Sequence, residues 1–358
     1  MTGSRRWTAL LVLLLMAGAA CSDGGGGTDE AVEDPVGDAR QPSADRVVQF
    51  NGASQTRLAG VVNTPAQDGG AAPGVLIVPG LAPTDKDGQV VGTPPDLFYK
   101  DLSTSFTAAG LVTFRYDRRG VGQSRLASGQ QLSWDDMVGD ARSAFAFLGQ
   151  RSEVGESGLA VVGHDVGGLI ALKLAATEPR VKSVVLVSTP GRPLLDVLAE
   201  GFAATHGPES AEAFRAAAGT LMSTGSLPPR TTLRAEHQAV LAAGSDGMLR
   251  SLLAVDPLAD APAVKVPVLI ASGGTSTTVT GADAERLNQA LGGRAELVTA
   301  ANAGPTLLEV SDAPARAADP ADHTSHGAPP PQPKTTRDAD AMQRISGFLR
   351  GSLAAAGQ

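Results

Sequence analysis

Cysteine is almost absent: Cys21 stands alone in 358 residues, so the chain cannot form an internal disulfide. Aromatic residues make up only 4%, with two tryptophans and two tyrosines, which leaves little material for stacking platforms or aromatic cages. Charged residues are sparse at 18% and sum to −8, and no basic stripe runs along any segment. That combination argues against nucleic acid as a partner. Lysine supplies just six of the 29 basic residues, a compositional bias without functional content. No metal-ligand spacing and no phosphate-cradling glycine loop stands out, so no cofactor is implied. Against these shortages, 42% of the residues are hydrophobic, enough to bury a full core.

The N-terminal twenty residues have the layout of an export signal. Arg5 and Arg6 precede an apolar run of ten from Trp7 to Met16, and Ala17 to Ala20 supply small residues for cleavage. The run is too short for a membrane-crossing helix, which needs about 20 residues. Cys21 follows directly. It is either an incidental thiol beside a simple cleavage site or, as its place resembles a bacterial lipoprotein signal, the lipidated first residue of a mature, membrane-anchored, extracytoplasmic protein. Loss of residues 1–20 removes two arginines and no acids, taking the net charge to −10. Residues 21–45 are Gly-rich, acidic and aperiodic, as a flexible tether would be.

From about Val47, short apolar runs alternate with helical patterns. GVLIVPG (74–80), LVTFRYD (111–117), GLAVVGH (158–164), KSVVLVS (182–188), VPVLIAS (266–272) and RAELVTA (294–300) read as strands buried on both faces. Trp134, Met137, Val138, Ala141, Phe145 and Leu148 share one helical face, and Ala341, Met342, Ile345, Phe348 and Leu349 share another. The alternation predicts an α/β, mostly parallel, doubly wound sheet. Residues 191–262 hold helical patterns and no strand, which predicts a lid inserted between core segments 46–190 and 263–358. Residues 311–338 form a long Pro-rich polar stretch, functional or disordered.

Chemistry concentrates at Gly163-His164-Asp165-Val166-Gly167-Gly168, which ends one strand and opens a helix. This is the context of the nucleophile elbow, G-x-nucleophile-x-G, whose glycines let strand and helix approach closely. Asp165 stands at its centre; aspartate tolerates the left-handed backbone the turn demands better than most residues do.

In GVLIVPGLAPTDKDGQ, YKDLSTSFTAAGLVTFRYDRRGVGQS and GLAVVGHDVGGLIALKLA, the chain resembles bacterial α/β-hydrolase carboxylesterases of the serine-aminopeptidase-like branch, from about Val47 to the C-terminal helix. The resemblance implies an α/β-hydrolase fold and a serine at position 165. It implies an acid after VPVLIASG, where Ser276 stands, and a histidine after the last strand, where Ala303 stands. All three triad positions thus depart from the family pattern. The resemblance also implies oxyanion-hole N–H groups from Leu81 and Val166, and a structural ion pair for the turn Asp117-Arg118-Arg119.

An aspartate elbow also resembles that of haloalkane dehalogenases and epoxide hydrolases, whose carboxylate attacks carbon. Those enzymes need tryptophans or lid tyrosines for the leaving group. Here residues 191–262 contain neither type, and Tyr99 and Tyr116 precede the elbow. The expected base is equally hard to find. His164 reads as a packing residue, His206 and His237 as surface residues, and His323 or His326 as displaced candidates. Three readings remain open: an envelope lipoprotein without serine chemistry that binds a small apolar ligand or a partner protein; an active hydrolase using Asp165 with His323 or His326; and a structural protein with a filled site.

Overall fold

A computed structural model describes residues 45–66, 70–90, 96–126, 132–241, 245–311 and 334–356. The export signal, Cys21, nearly all of the tether, and His323 and His326 lie outside the described residues.

Eight strands form one sheet: β1 (Asp45–Asn51), β2 (Arg57–Asn63), β3 (Ala72–Val78), β4 (Val112–Tyr116), β5 (Val154–His164), β6 (Val181–Val187), β7 (Val268–Gly273) and β8 (Glu296–Ala300). Their spatial order is β1-β2-β4-β3-β5-β6-β7-β8. The β1–β2 and β2–β4 pairs are antiparallel and every other pair is parallel. The six apolar runs read from the sequence are β3 to β8. β1 escaped that reading because DRVVQFN alternates as a half-exposed edge strand does; β2 (RLAGVVN) is buried at every position but Arg57, with its apolar residues broken by Gly60 into two short pairs.

The central strands are apolar at consecutive positions because both faces are covered. Val75 and Ile77 of β3 point into one core, shared with α1 (Phe98–Ala108) and α9 (Ala339–Ala356). Leu76 and Val78 point into the other, shared with α2 (Trp134–Gly149) and α3 (Val166–Thr177). Val161 of β5 and Val184 and Leu186 of β6 join the second face, while Ala160, Val162, Val185 and Val187 join the first. α2 starts at Ser133, whose hydroxyl accepts from the Asp136 amide while Asp136 reaches back to the Ser133 amide. This reciprocal cap removes two of the orphan donors at the helix start. Its buried face is Met137, Val138, Ala141, Ala144, Phe145 and Leu148, close to the stripe expected.

Between β6 and β7 lie α4 (Leu194–His206), α5 (Pro208–Thr224), α6 (Ala235–Leu241) and α7 (Asp246–Leu253), with no strand among the described residues. His237 departs from expectation there: it is 1% exposed, not a surface residue. Its ring packs edge-on against Phe202 and Phe214, and its Nε2 lies 3.0 Å from the Ser210 hydroxyl, so the aromatic pair and one hydrogen bond justify its burial. His206 is exposed, as expected. After β8, a hairpin of β9 (Leu308–Ser311) and β10 (Lys334–Arg337) precedes α9. Arg337 fastens it to α1, bonding Asp101 at 2.9 Å, pairing with Asp96 and lying over the Phe98 ring.

Candidate active site

Asp165 sits between β5 and α3, as the N-terminal flanking residue of the helix, with φ 53° and ψ −129°. Few non-glycine residues adopt this backbone, and holding one there costs about 1–3 kcal/mol. The surroundings enforce it. The Asp165 amide donates to the Val187 carbonyl of β6, and its own carbonyl accepts from the Gly168 amide. The turn is tight enough to exclude side chains nearby. A Cβ on Gly163 would lie 2.3 Å from the Gly167 carbonyl oxygen, and a Cβ on Gly167 would lie 2.4 Å from that of Val78.

The Asp165 carboxylate is half-buried and turned toward the end of β3, where its Oδ2 accepts the Leu81 N–H at 3.0 Å. That amide is one of the two expected oxyanion donors. In this chain it already holds a carboxylate oxygen.

The loop carrying Leu81 is tied down from several sides. Arg118 Nη2 donates to the Leu81 carbonyl at 2.6 Å and to the Ala82 carbonyl at 3.1 Å. Asp117 accepts from the amides of Lys86 and Gln123, and Arg115 pairs with Asp87 at 2.8 Å. The Tyr99 hydroxyl accepts the Gly80 N–H at 2.9 Å and so has its proton free for His164 Nδ1, 3.1 Å away. Burial pushes the Tyr99 hydroxyl up to about 12, so it remains a neutral donor. Burial also pushes the His164 imidazole down, against the pull of Asp165 and Asp96. The ring packs edge-on against Phe98 at 5.0 Å. Its Nε2 is buried with no acceptor in hydrogen-bond geometry; the Pro305 carbonyl favours the protonated ring without reaching that geometry. His164 is therefore a packed, neutral group behind the elbow, with no hydrogen bond to the Asp165 carboxylate.

The turn after β4 holds ion pairs of the expected kind and one surprise. Arg119, 1% exposed, grips Asp140 through two nitrogens, at 2.9 and 2.5 Å, and also donates to the Ala53 carbonyl. Arg118 is equally buried, yet no carboxylate lies within ion-pair distance of it among the described residues.

The two positions expected to hold the rest of a triad, Ser276 and Ala303, are not joined to Asp165 by any hydrogen bond among the described residues. Ser276 follows β7, its amide bonded to the Gly273 carbonyl and its hydroxyl buried without a partner. Ala303 follows β8, fully buried in the core that α1 and α9 share, and its carbonyl accepts the Thr275 amide. The loops after β7 and β8 are thus stitched backbone to backbone, with neither acid nor imidazole between them among the described residues. Asp283 is the nearby-in-sequence carboxylate, and it is spent on Arg192 and the Gly191 amide. A groove of about 630 Å³ lined by Asp45, Asn63, Lys100 and Thr104 lies along α1, and no elbow residue belongs to it.

The fold and the strand–turn–helix elbow define an α/β-hydrolase. The chain belongs to the serine aminopeptidase (S33) family, whose profile matches residues 97–304. Among curated proteins it is similar to the thiohydrolase apmlB of Arthrinium phaeospermum, 32% identical over 94 residues. That match covers 26% of this chain and spans about a third of the relative's length, 31%. Among solved structures, DcsB in complex with its substrate analogue superposes with a TM-score of 0.58 at 15% identity, covering 87% of this chain and 100% of that one. A hypothetical protein from Pseudomonas aeruginosa gives 0.57 at 18% identity, covering 92% and 100%. At these identities the likeness is one of fold.

Proposed function

We propose that this is an envelope lipoprotein built on an esterase fold that no longer hydrolyses esters and instead binds a neutral, apolar small molecule or a partner protein under the α4–α7 insertion. One observation carries the reading: the Asp165 carboxylate occupies the Leu81 N–H. In a serine hydrolase that donor must meet the oxygen that gains negative charge in the transition state, and losing one such donor costs about 10²–10³ in rate. A resident carboxylate costs more than absence, because it repels the developing oxyanion. Attack by Asp165 on an ester carbonyl would moreover give an anhydride, and among the described residues no histidine bonds the Asp165 carboxylate to activate water against it. Ser276 and Ala303 supply neither the acid nor the base of the triad, and the neutral His164 is committed to Tyr99.

The restoration series tests this reading. Asp165→Ser alone is expected to give no turnover of short acyl esters, since acid and base are still missing. Asp165→Ser with Ser276→Asp and Ala303→His is the smallest set expected to recover any. Ala303 is fully buried, so the new imidazole must displace packed neighbours and the triple variant is expected to be less stable. Turnover in the single Asp165→Ser variant equal to that of the triple would refute the assignment of Ser276 and Ala303 as the vacated positions. Membrane attachment through Cys21 is tested separately: Cys21→Ala should shift the protein from the membrane fraction to the soluble one, and unchanged attachment would remove the lipid anchor.

A further inference from the structure

Arg118 is 4% exposed, its Nε is buried without an acceptor, and no carboxylate pairs with it among the described residues. A guanidinium cannot shed its proton at physiological pH, so an uncompensated one at this depth is expensive. The anionic group that acts on it is Asp165; its other titratable neighbours, Tyr99 and Tyr116, are phenols that burial keeps neutral. Leu81 joins the two charges. Its carbonyl accepts from Arg118 at 2.6 Å and its amide donates to Asp165 at 3.0 Å, so one residue is polarised from both ends.

We infer that the end of β3 is an anion site, built on the Leu81 amide with the Arg118 guanidinium held behind it on the Leu81 carbonyl, and that Asp165 is its built-in occupant. The intact chain therefore excludes external anions from the elbow, and a chain lacking the Asp165 side chain admits a small carboxylate. This deepens the reading of Asp165 as a non-catalytic group. It also explains why a position strained for any side chain holds an acid here: the carboxylate places a negative charge near a buried cation, which serine would not. Arg118 acts on the site through Leu81 and is a positioning residue.

The probe is sodium acetate, with sodium chloride at equal ionic strength as control. Asp165→Ala should gain thermal stability with acetate and show a saturable shift of the Leu81 amide resonance. Its acetate affinity should exceed that of the unaltered chain by roughly tenfold or more, the size expected for a hydrogen bond to a charged group. Asp165→Asn, which fills the space without the charge, should respond like the unaltered chain. Arg118→Met in the Asp165→Ala background should lose the response, and Arg118→Lys in the same background should retain part of it. Should the Arg118→Met chain not fold, the Leu81 shift in Asp165→Ala against the unaltered chain decides the site, and the Arg118→Lys comparison decides the role of the guanidinium. Equal acetate response in the unaltered and Asp165→Ala chains would overturn the inference, as would a response undiminished by either Arg118 substitution. None of these readouts involves ester turnover, so acetate exclusion and loss of hydrolysis can fail independently.

Discussion

Gly167→Ala puts the close approach at the elbow to the test. Gly167 is the second residue of α3, and its Cα faces the end of β3. An added Cβ would lie 2.4 Å from the Val78 carbonyl oxygen and 2.5 Å from that of Pro79, where real Cβ contacts stay above 3.0 Å. Both obstacles are backbone, so relief requires α3 and β3 to separate by more than half an ångström. Overpacking of this kind costs about 1–3 kcal/mol. The β3 end carries Leu81, so separation also stretches the Leu81–Asp165 hydrogen bond, worth about 1.5–3 kcal/mol for a charged acceptor. Alanine returns about 0.5–1 kcal/mol through lower backbone entropy in the helix. The net loss is then about 2–5 kcal/mol. Urea unfolding followed by circular dichroism would read it as a lower midpoint at unchanged slope. A second readout is the Leu81 amide resonance, which should move toward a weaker hydrogen bond. A Gly167→Ala chain as stable as the parent, with Leu81 unmoved, would show that α3 and β3 do not approach this closely.

Two further outcomes follow from the ion pairs. Arg119→Met should cost about 3–5 kcal/mol, because Asp140 is left buried without its bidentate partner, and adding Asp140→Asn should recover part of the loss; an additive double variant would contradict the pairing. Burial alone would push the Glu153 carboxyl up, but the Arg151 and Arg46 guanidiniums overcome it and hold the group at about 2. A carboxyl depressed in the folded state contributes stability above its unfolded pKa of about 4.3 and loses it as pH falls toward 2. The stability gap between the parent and Glu153→Gln should therefore close over that interval, and a gap that persists at pH 2 would contradict the shift.

The central sheet and the elbow were legible from residues 74–300 because both are local signals. Apolar runs of six or seven bounded by turns mark strands covered on both faces, and the spacing of Gly163, Asp165 and Gly167 marks a turn too tight for side chains. What escaped depends on distance in the chain. Leu81 and Asp165 are 84 positions apart, so nothing local showed that the expected donor is already taken. Arg118 beside Arg119 looked like part of the same ion pair, but successive residues point apart, and only Arg119 faces Asp140. His237 looked like a surface residue because its aromatic neighbours, Phe202 and Phe214, and its partner Ser210 lie on other helices. β1 was hidden by a half-exposed edge pattern with little apolar contrast, and β2, though buried at every position but Arg57, has its apolar residues broken by Gly60 into two short pairs.

Asp165 is either a resident anion or a working nucleophile. The most direct measurement is turnover of a short acyl ester by the purified, unmodified protein beside Asp165→Asn, which keeps shape and removes charge. A resident anion gives background rates for both. Turnover by the unmodified protein that Asp165→Asn abolishes would contradict it, and its loss in His323→Ala or His326→Ala would name the base.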